Sequence, residues 1–198
     1  MKLSKMISLC KKEKHVFLYK DDKDRDLKYL SDGHILFRLK DYSSVCLDNI
    51  FEFMDVPDDR KEKYHADVRP IMFETYVDES TNCEKLTRFP KSINIPDPVV
   101  AFSSDKGMLL VQDKFLDVFR PMPGYIEYYM SVEKFPMLLL VCGKEVIGGI
   151  WPLKYDFEKL HDELSAMTYE AHEAYLNHFN STSHQVDMEE VLRTDTVE

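Results

Sequence analysis

DKFLDVFRPMPGYIEYYMSVEKFPMLLLVCGKEVIGGIW, residues 113 to 151, is the stretch on which the fold turns. Phe115, Leu116, Val118 and Phe119 fall on one side of a short helix, and three strand-like stretches follow: Tyr125 to Met130, Met137 to Cys142 and Glu145 to Trp151. The same order occurs near the N-terminus. There, Leu3, Met6, Ile7 and Cys10 sit at helical spacing, ahead of Val16 to Tyr19, Leu27 to Leu30 and Ile35 to Leu39. Between its second and third strands each copy has a polar break, Ser31-Asp32-Gly33 in one and Gly143-Lys144 in the other, and a glycine supplies the backbone freedom of a tight hairpin. The flanking strands are therefore expected to be antiparallel neighbours. Identity between the copies is slight, so their pairing rests on pattern. The chain reads as an α+β domain over 1–154, with pseudo-repeats at about 1–40 and 107–154 and a connector over 41–106 containing a helix, a strand and a Pro-rich stretch.

In that connector, Ser43-Ser44 can cap a helix with Val45, Leu47, Ile50, Phe51 and Met54 on its apolar side, ended by Asp55-Val56-Pro57. The charged run Asp58 to His65 suits a short exposed helix. Alternation from Val68 to Val77 predicts a strand, and Asp78 to Asn82 a turn. Three prolines between Phe89 and Pro98 remove backbone donors, so a rigid connector is expected there. Val99 to Phe102 and Met108 to Val111 read as hairpin strands around residues 103–107, with Gly107 at the position needing a positive φ, and Asp113 caps the next helix. Beyond Pro152, an apolar stripe of Phe157, Leu160, Leu164, Met167, Ala171, Ala174 and Tyr175 predicts a long amphipathic C-terminal helix over 155–179, followed by a flexible tail over 180–198.

At 44% hydrophobic and 12% aromatic over 198 residues, the chain can bury a substantial core, which excludes a disordered protein. No apolar run reaches the roughly 20 residues that span a bilayer, and no signal-peptide pattern opens the chain. A soluble, cytoplasmic protein without membrane association is expected. Cys10, Cys46, Cys83 and Cys142 are scattered without C-x-x-C spacing, as core thiols in a reducing compartment would be. The net charge of −10 argues against general coating of nucleic acid, which needs clustered cations. Charge is unevenly spread, however: Lys2, Lys5, Lys11, Lys12 and Lys14 surround a single Glu13, whereas acids dominate from Asp156 onward.

Chemistry has few footholds. His161 and His172 return to nearly one helix face but lie about 16 Å apart at about 1.5 Å per residue, too far to share a metal, and His178 does not join them. Ser31, Asp32 and His34 are adjacent in sequence, which is not how a catalytic triad converges. Gly143, Gly148 and Gly149 form no phosphate loop, and the Gly148-Gly149 pair inside a strand marks a bulge or a close backbone approach. No catalytic residue, metal ligand or cofactor is expected. In Tyr125 to Met130, alternation sends Tyr125, Glu127 and Tyr129 to one face and Ile126, Tyr128 and Met130 to the other. Tyr125 and Tyr129 are accordingly candidate partner-facing aromatics.

Lys114-Phe-Leu-Asp-Val-Phe119, Gly124-Tyr-Ile-Glu-Tyr-Tyr129, Phe135-Pro-Met-Leu-Leu139 and Ile150-Trp-Pro-Leu-Lys154 resemble the closing unit of a bacterial sliding-clamp domain, with its helix, three strands and terminal apolar-Pro-apolar sequence. Ser31-Asp-Gly-His-Ile-Leu-Phe37 is similar to that family's acid-Gly-His hairpin segment. The resemblance implies two β-α-β-β-β units in antiparallel sheets, related by a pseudo-twofold axis, with the helices on one face. It also implies that Lys2, Lys5, Lys11 and Lys12 occupy a helix that faces nucleic acid. In true clamps six such domains close a ring. Here one domain's worth of chain is present, and the second helix mixes Asp113 and Asp117 with Lys114 and Arg120.

The function expected is a non-catalytic intracellular interaction module of this clamp-like kind, of phage or other mobile-element origin, binding a protein partner and, through the basic helix, DNA. Two other classes compete. An acidic inhibitor or DNA mimic would occupy a basic groove on a host factor. A hydrolase would need carboxylates converging on Glu163, Glu170 or His172 of the C-terminal helix.

Overall fold

The computed structural model describes residues 3–95, 97–105, 107–120, 125–131, 136–154, 169 and 173. The chain divides into two units, Met1–Leu153 and Lys154–Glu198. In the second, Tyr169 and Glu173 are helical; the remainder of the expected C-terminal helix, its three histidines and the tail lie outside the described residues.

The first unit runs α1 (Leu3–Glu13), β1 (His15–Lys20), β2 (Lys28–Ser31), β3 (Ile35–Arg38), α2 (Leu47–Phe53), β4 (His65–Pro70), β5 (Cys83–Ile95), β6 (Asp97–Ser104), β7 (Gly107–Gln112), α3 (Asp113–Leu116), β8 (Ile126–Ser131), β9 (Met137–Cys142) and β10 (Glu145–Ile150). Among the described residues the ten strands join in the order β4-β1-β2-β3-β10-β9-β8-β5-β6-β7. The class is α+β. All described strand pairs are antiparallel except one: β4 lies parallel to β1, with His15 opposite His65 and Tyr19 opposite Arg69, so the wholly antiparallel expectation is corrected at that edge. The six central strands, β1-β2-β3-β10-β9-β8, read the same from either end. Their middle is the β3–β10 pair, where Phe37 faces Gly148 and Ile35 faces Ile150.

Period-two alternation sorts the side chains into two layers. Val16, Leu18, Leu30, Ile35, Phe37, Leu138, Leu140 and Ile147 point to one face and meet α1 through Leu3, Met6 and Cys10, α2 through Ile50 and Phe51, and α3 through Phe115 and Leu116. Tyr29, Leu36, Leu139, Val141 and Val146 point to the other, where Val77, Ile71, Phe73 and Trp151 cover them. Both hairpin glycines have the expected backbone, Gly33 at φ 95° and Gly143 at φ 66°.

Other expectations shift. The predicted strand Val68 to Val77 is instead His65–Pro70. Past Pro70 the chain leaves the ladder and crosses the second face as a strap, its alternating Ile71 and Phe73 packing downward on the sheet. It is tied at one end by the Ile71 amide to the Lys20 carbonyl (3.1 Å), and at the other by the Val77 amide to Lys144 and the Val146 amide to Thr75 (2.8 and 3.0 Å). Of the connector expected from Phe89 to Pro98, residues 89–95 and 97–98 are strand, and Pro96 lies outside the described residues. Pro90 falls where pairing slips between Arg88 and Ser92, and a bulge accommodates the missing donor; Pro98 pairs with Asn94 beside the hairpin turn. Gly107 opens β7 without a positive φ. The N-cap of α2 is Cys46, not Ser43 or Ser44, because the Asn49 side chain accepts from the Cys46 amide (2.8 Å) and reaches back to the Ser44 carbonyl (2.9 Å). Asp113 is the first residue of α3, and Gln112 precedes it as cap.

Candidate functional site

Two surfaces on opposite sides of the sheet carry the candidate residues. On the helical side, α1 buries Leu3, Met6 and Cys10 and turns Lys5, Lys11 and Lys12 outward; Lys2 lies outside the described residues. Lys5 reaches across to the next layer element, donating to the Asp117 carbonyl (3.1 Å) just past α3. Lys11 and Lys12 occupy the last turn, where cations also favour the negative end of the helix dipole. Around α3 the charges cancel: Arg120 holds Asp113 (2.6 Å) and Asp117 (2.6 Å), while Lys114 lies over the Phe115 ring. Lys11 and Lys12 of α1 stand exposed on this face, in no salt bridge among the described residues.

On the strap side, Tyr19, Arg69, Pro70, Ile71, Met72, Phe73, Glu74, Ser131, Met137 and Trp151 line an open groove of about 640 Å³. Its floor is apolar and aromatic: Tyr19 and Tyr29 both meet the Phe73 ring edge-on, at 5.8 and 5.1 Å. Its rim is charged. Arg69 bonds Asp67 (3.2 Å) and stacks its guanidinium 3.7 Å above the Phe17 ring, so the cation is held in place at little entropic cost. Met72 is 74% exposed, a large apolar side chain turned to solvent at the groove. A concavity of this size and lining suits a few apolar side chains of a bound ligand with one or two polar anchors.

Of the two tyrosines singled out from the sequence, Tyr125 is 79% exposed, whereas Tyr129 packs on the strap-side cluster with Lys85 above it and Glu127 beside it. Neither lines the groove. Tyr128 faces the helical side against Phe102, as the alternation requires. The groove residues went unrecognised because they come together from β1, β4, the strap, β8, β9 and the segment after β10. Apolar Ile71, Met72 and Phe73 directly after a proline were the one local signal.

The Ser31-Asp32-Gly33-His34 turn is structural. Asp32, fully buried, accepts from the amides of His34 (2.8 Å) and Ile35 (2.9 Å), and His34 stacks on Phe115. Burial, reinforced by nearby Asp32, pushes the Cys10 thiol well up, which makes it inert as a nucleophile. Among the described residues no three His, Cys, Asp or Glu side chains are grouped to hold a metal, and no helix is long and apolar enough to cross a membrane. No protein-family model, characterised protein or solved structure matches the chain.

Proposed function

We propose that this chain is a non-catalytic interaction module built as a single sliding-clamp-like domain, with α1 turned toward DNA and the strap-side groove receiving a protein partner. The observation that carries the reading is the strand order β1-β2-β3-β10-β9-β8, in which the two helix-and-three-strand segments join through their last strands. A twofold rotation between β3 and β10 would exchange them, the relation that the clamp resemblance implies. In support, α1 and α3 contact the same hydrophobic layer, so the helices share a face and the groove lies behind it. Fold alone does not set function, and the two surfaces supply the site-level argument: exposed Lys11 and Lys12 for phosphates, and an apolar groove with a fixed arginine at its rim for a protein segment.

The test is affinity capture of the tagged full chain from its native lysate, with and without nuclease. Met72→Glu, at an exposed groove position, is expected to remove a nuclease-resistant protein partner. Lys11→Glu with Lys12→Glu is expected to remove only nuclease-sensitive material. A partner set unchanged by both variants contradicts the proposal.

A further inference from the structure

We infer that β4 is a self-pairing edge, through which two copies of this chain join antiparallel about Val68. Among the described strands β4 ends the sheet order and has β1 as its one neighbour. The amides of His65 and Ile71 donate to the Lys14 and Lys20 carbonyls (2.9 and 3.1 Å), on the β1 side. Because N–H and C=O of one residue point the same way and alternate along a strand, residues 65, 67, 69 and 71 spend their backbone groups on β1. Ala66, Val68 and Pro70 therefore turn theirs outward. Proline has no N–H, so the open edge offers donors at Ala66 and Val68 and acceptors at all three positions.

The side chains select both the occupant and its register. An antiparallel mate centred on Val68 lets each Val68 exchange both backbone bonds with the other and brings each Ala66 amide to a Pro70 carbonyl. It also sets Asp67 directly opposite Arg69 of the second copy, and Arg69 opposite its Asp67, on the strap side of the sheet. Sliding to centre on Asp67 or on Arg69 would place like charges face to face, which is unfavourable. The sequence Asp67-Val68-Arg69 is thus complementary to itself when reversed. Asp67 and Arg69 bond each other within one chain (3.2 Å) yet stay accessible, at 51% and 38%, so each can also meet its counterpart across the edge, and Val68 is 43% exposed. Since Arg69 also lines the groove, Asp67 of the second copy would complete the charged rim, and the two grooves would open on the same face of a continuous sheet. This pairing rests on the β4 edge alone and is independent of the clamp-like reading.

Sedimentation equilibrium of the full chain over a range of concentrations tests it. The expected result is a species of twice the 23.4 kDa chain mass that dissociates on dilution. Val68→Pro removes only an outward N–H, a change an edge strand tolerates, and is expected to return the protein to monomer with an unchanged circular dichroism spectrum. Arg69→Asp should weaken the dimer by about tenfold through paired like charges, and adding Asp67→Arg, which restores complementarity in exchanged order, should recover it. Should Val68→Pro fail to fold, the charge exchange decides. A monomer at every concentration overturns the inference and leaves the edge to a foreign strand, and so does a dimer indifferent to the charge exchange.

Discussion

Gly148 sits where β10 passes closest to its surroundings, and only the absence of a side chain lets it do so. A Cβ there would lie 2.3 Å from Phe119 Cε1 and 2.6 Å from the Leu36 carbonyl, and the latter is backbone of the central strand pair and cannot swing aside. Gly148→Ala is therefore expected to cost about 3 kcal/mol, at the upper end of overpacking, as read from urea denaturation. Glu145, the first residue of the same strand, binds Lys40 (2.9 Å) and Arg38 (3.2 Å). Its bond to Lys40 is the largest influence and outweighs the opposing effect of burial; with the smaller pull of the Arg38 charge it holds the carboxyl below the usual carboxylate range. A carboxyl depressed in the folded state stabilises above its unfolded value of about 4.3 and loses that contribution as pH falls through the folded one. The stability difference between wild type and Glu145→Gln should accordingly be present at neutral pH and shrink as pH falls below the ordinary carboxylate value of about 4.3 in a series of denaturation curves. A difference that instead grew toward acid pH would show that the pair does not act this way.

At the scale of elements, hairpins were the most legible feature of the sequence, because a glycine between two apolar runs leaves few alternatives: Gly33 and Gly143 both adopt the positive φ their turns need. Gly107 did not: it opens β7 without a positive φ. The misread elements share a physical cause. Alternating Ile71 and Phe73 mark a segment buried on one side, which a strap lying over a sheet satisfies as well as a strand within it. Prolines 90 and 98 argue against a central strand only where pairing is continuous, and β5 is interrupted at one and ends near the other. The cap of α2 lies two residues past Ser44 because Asn49, reaching back from inside the helix, accepts from the Cys46 amide and donates to the Ser44 carbonyl, which fixes the turn at Cys46. Asn49→Ala should therefore cost about 1 kcal/mol, and Ser44→Ala little, in thermal or chemical denaturation.

For the molecule as a whole, the sequence made the α+β class and the basic helix readable, whereas the groove required strands remote in sequence to meet behind the strap. Alternation selects Tyr125 and Tyr129 by face but not by neighbour, and the groove forms past them, at the Ser131 end of β8. The net charge of −10 sets a demanding condition on the proposed DNA contact: attraction must come from a local cluster of lysines against an unfavourable overall field, so it should weaken steeply with salt. The most direct measurement is fluorescence anisotropy of a labelled DNA duplex titrated in low salt with wild-type protein and with the Lys11→Glu, Lys12→Glu variant, both positions being exposed and outside the core. Salt-sensitive binding by the wild type, weakened about tenfold or more in a variant of unchanged fold, is the predicted result. Equal affinity in the two proteins, or no binding by folded wild type, would contradict the assignment of this face to nucleic acid.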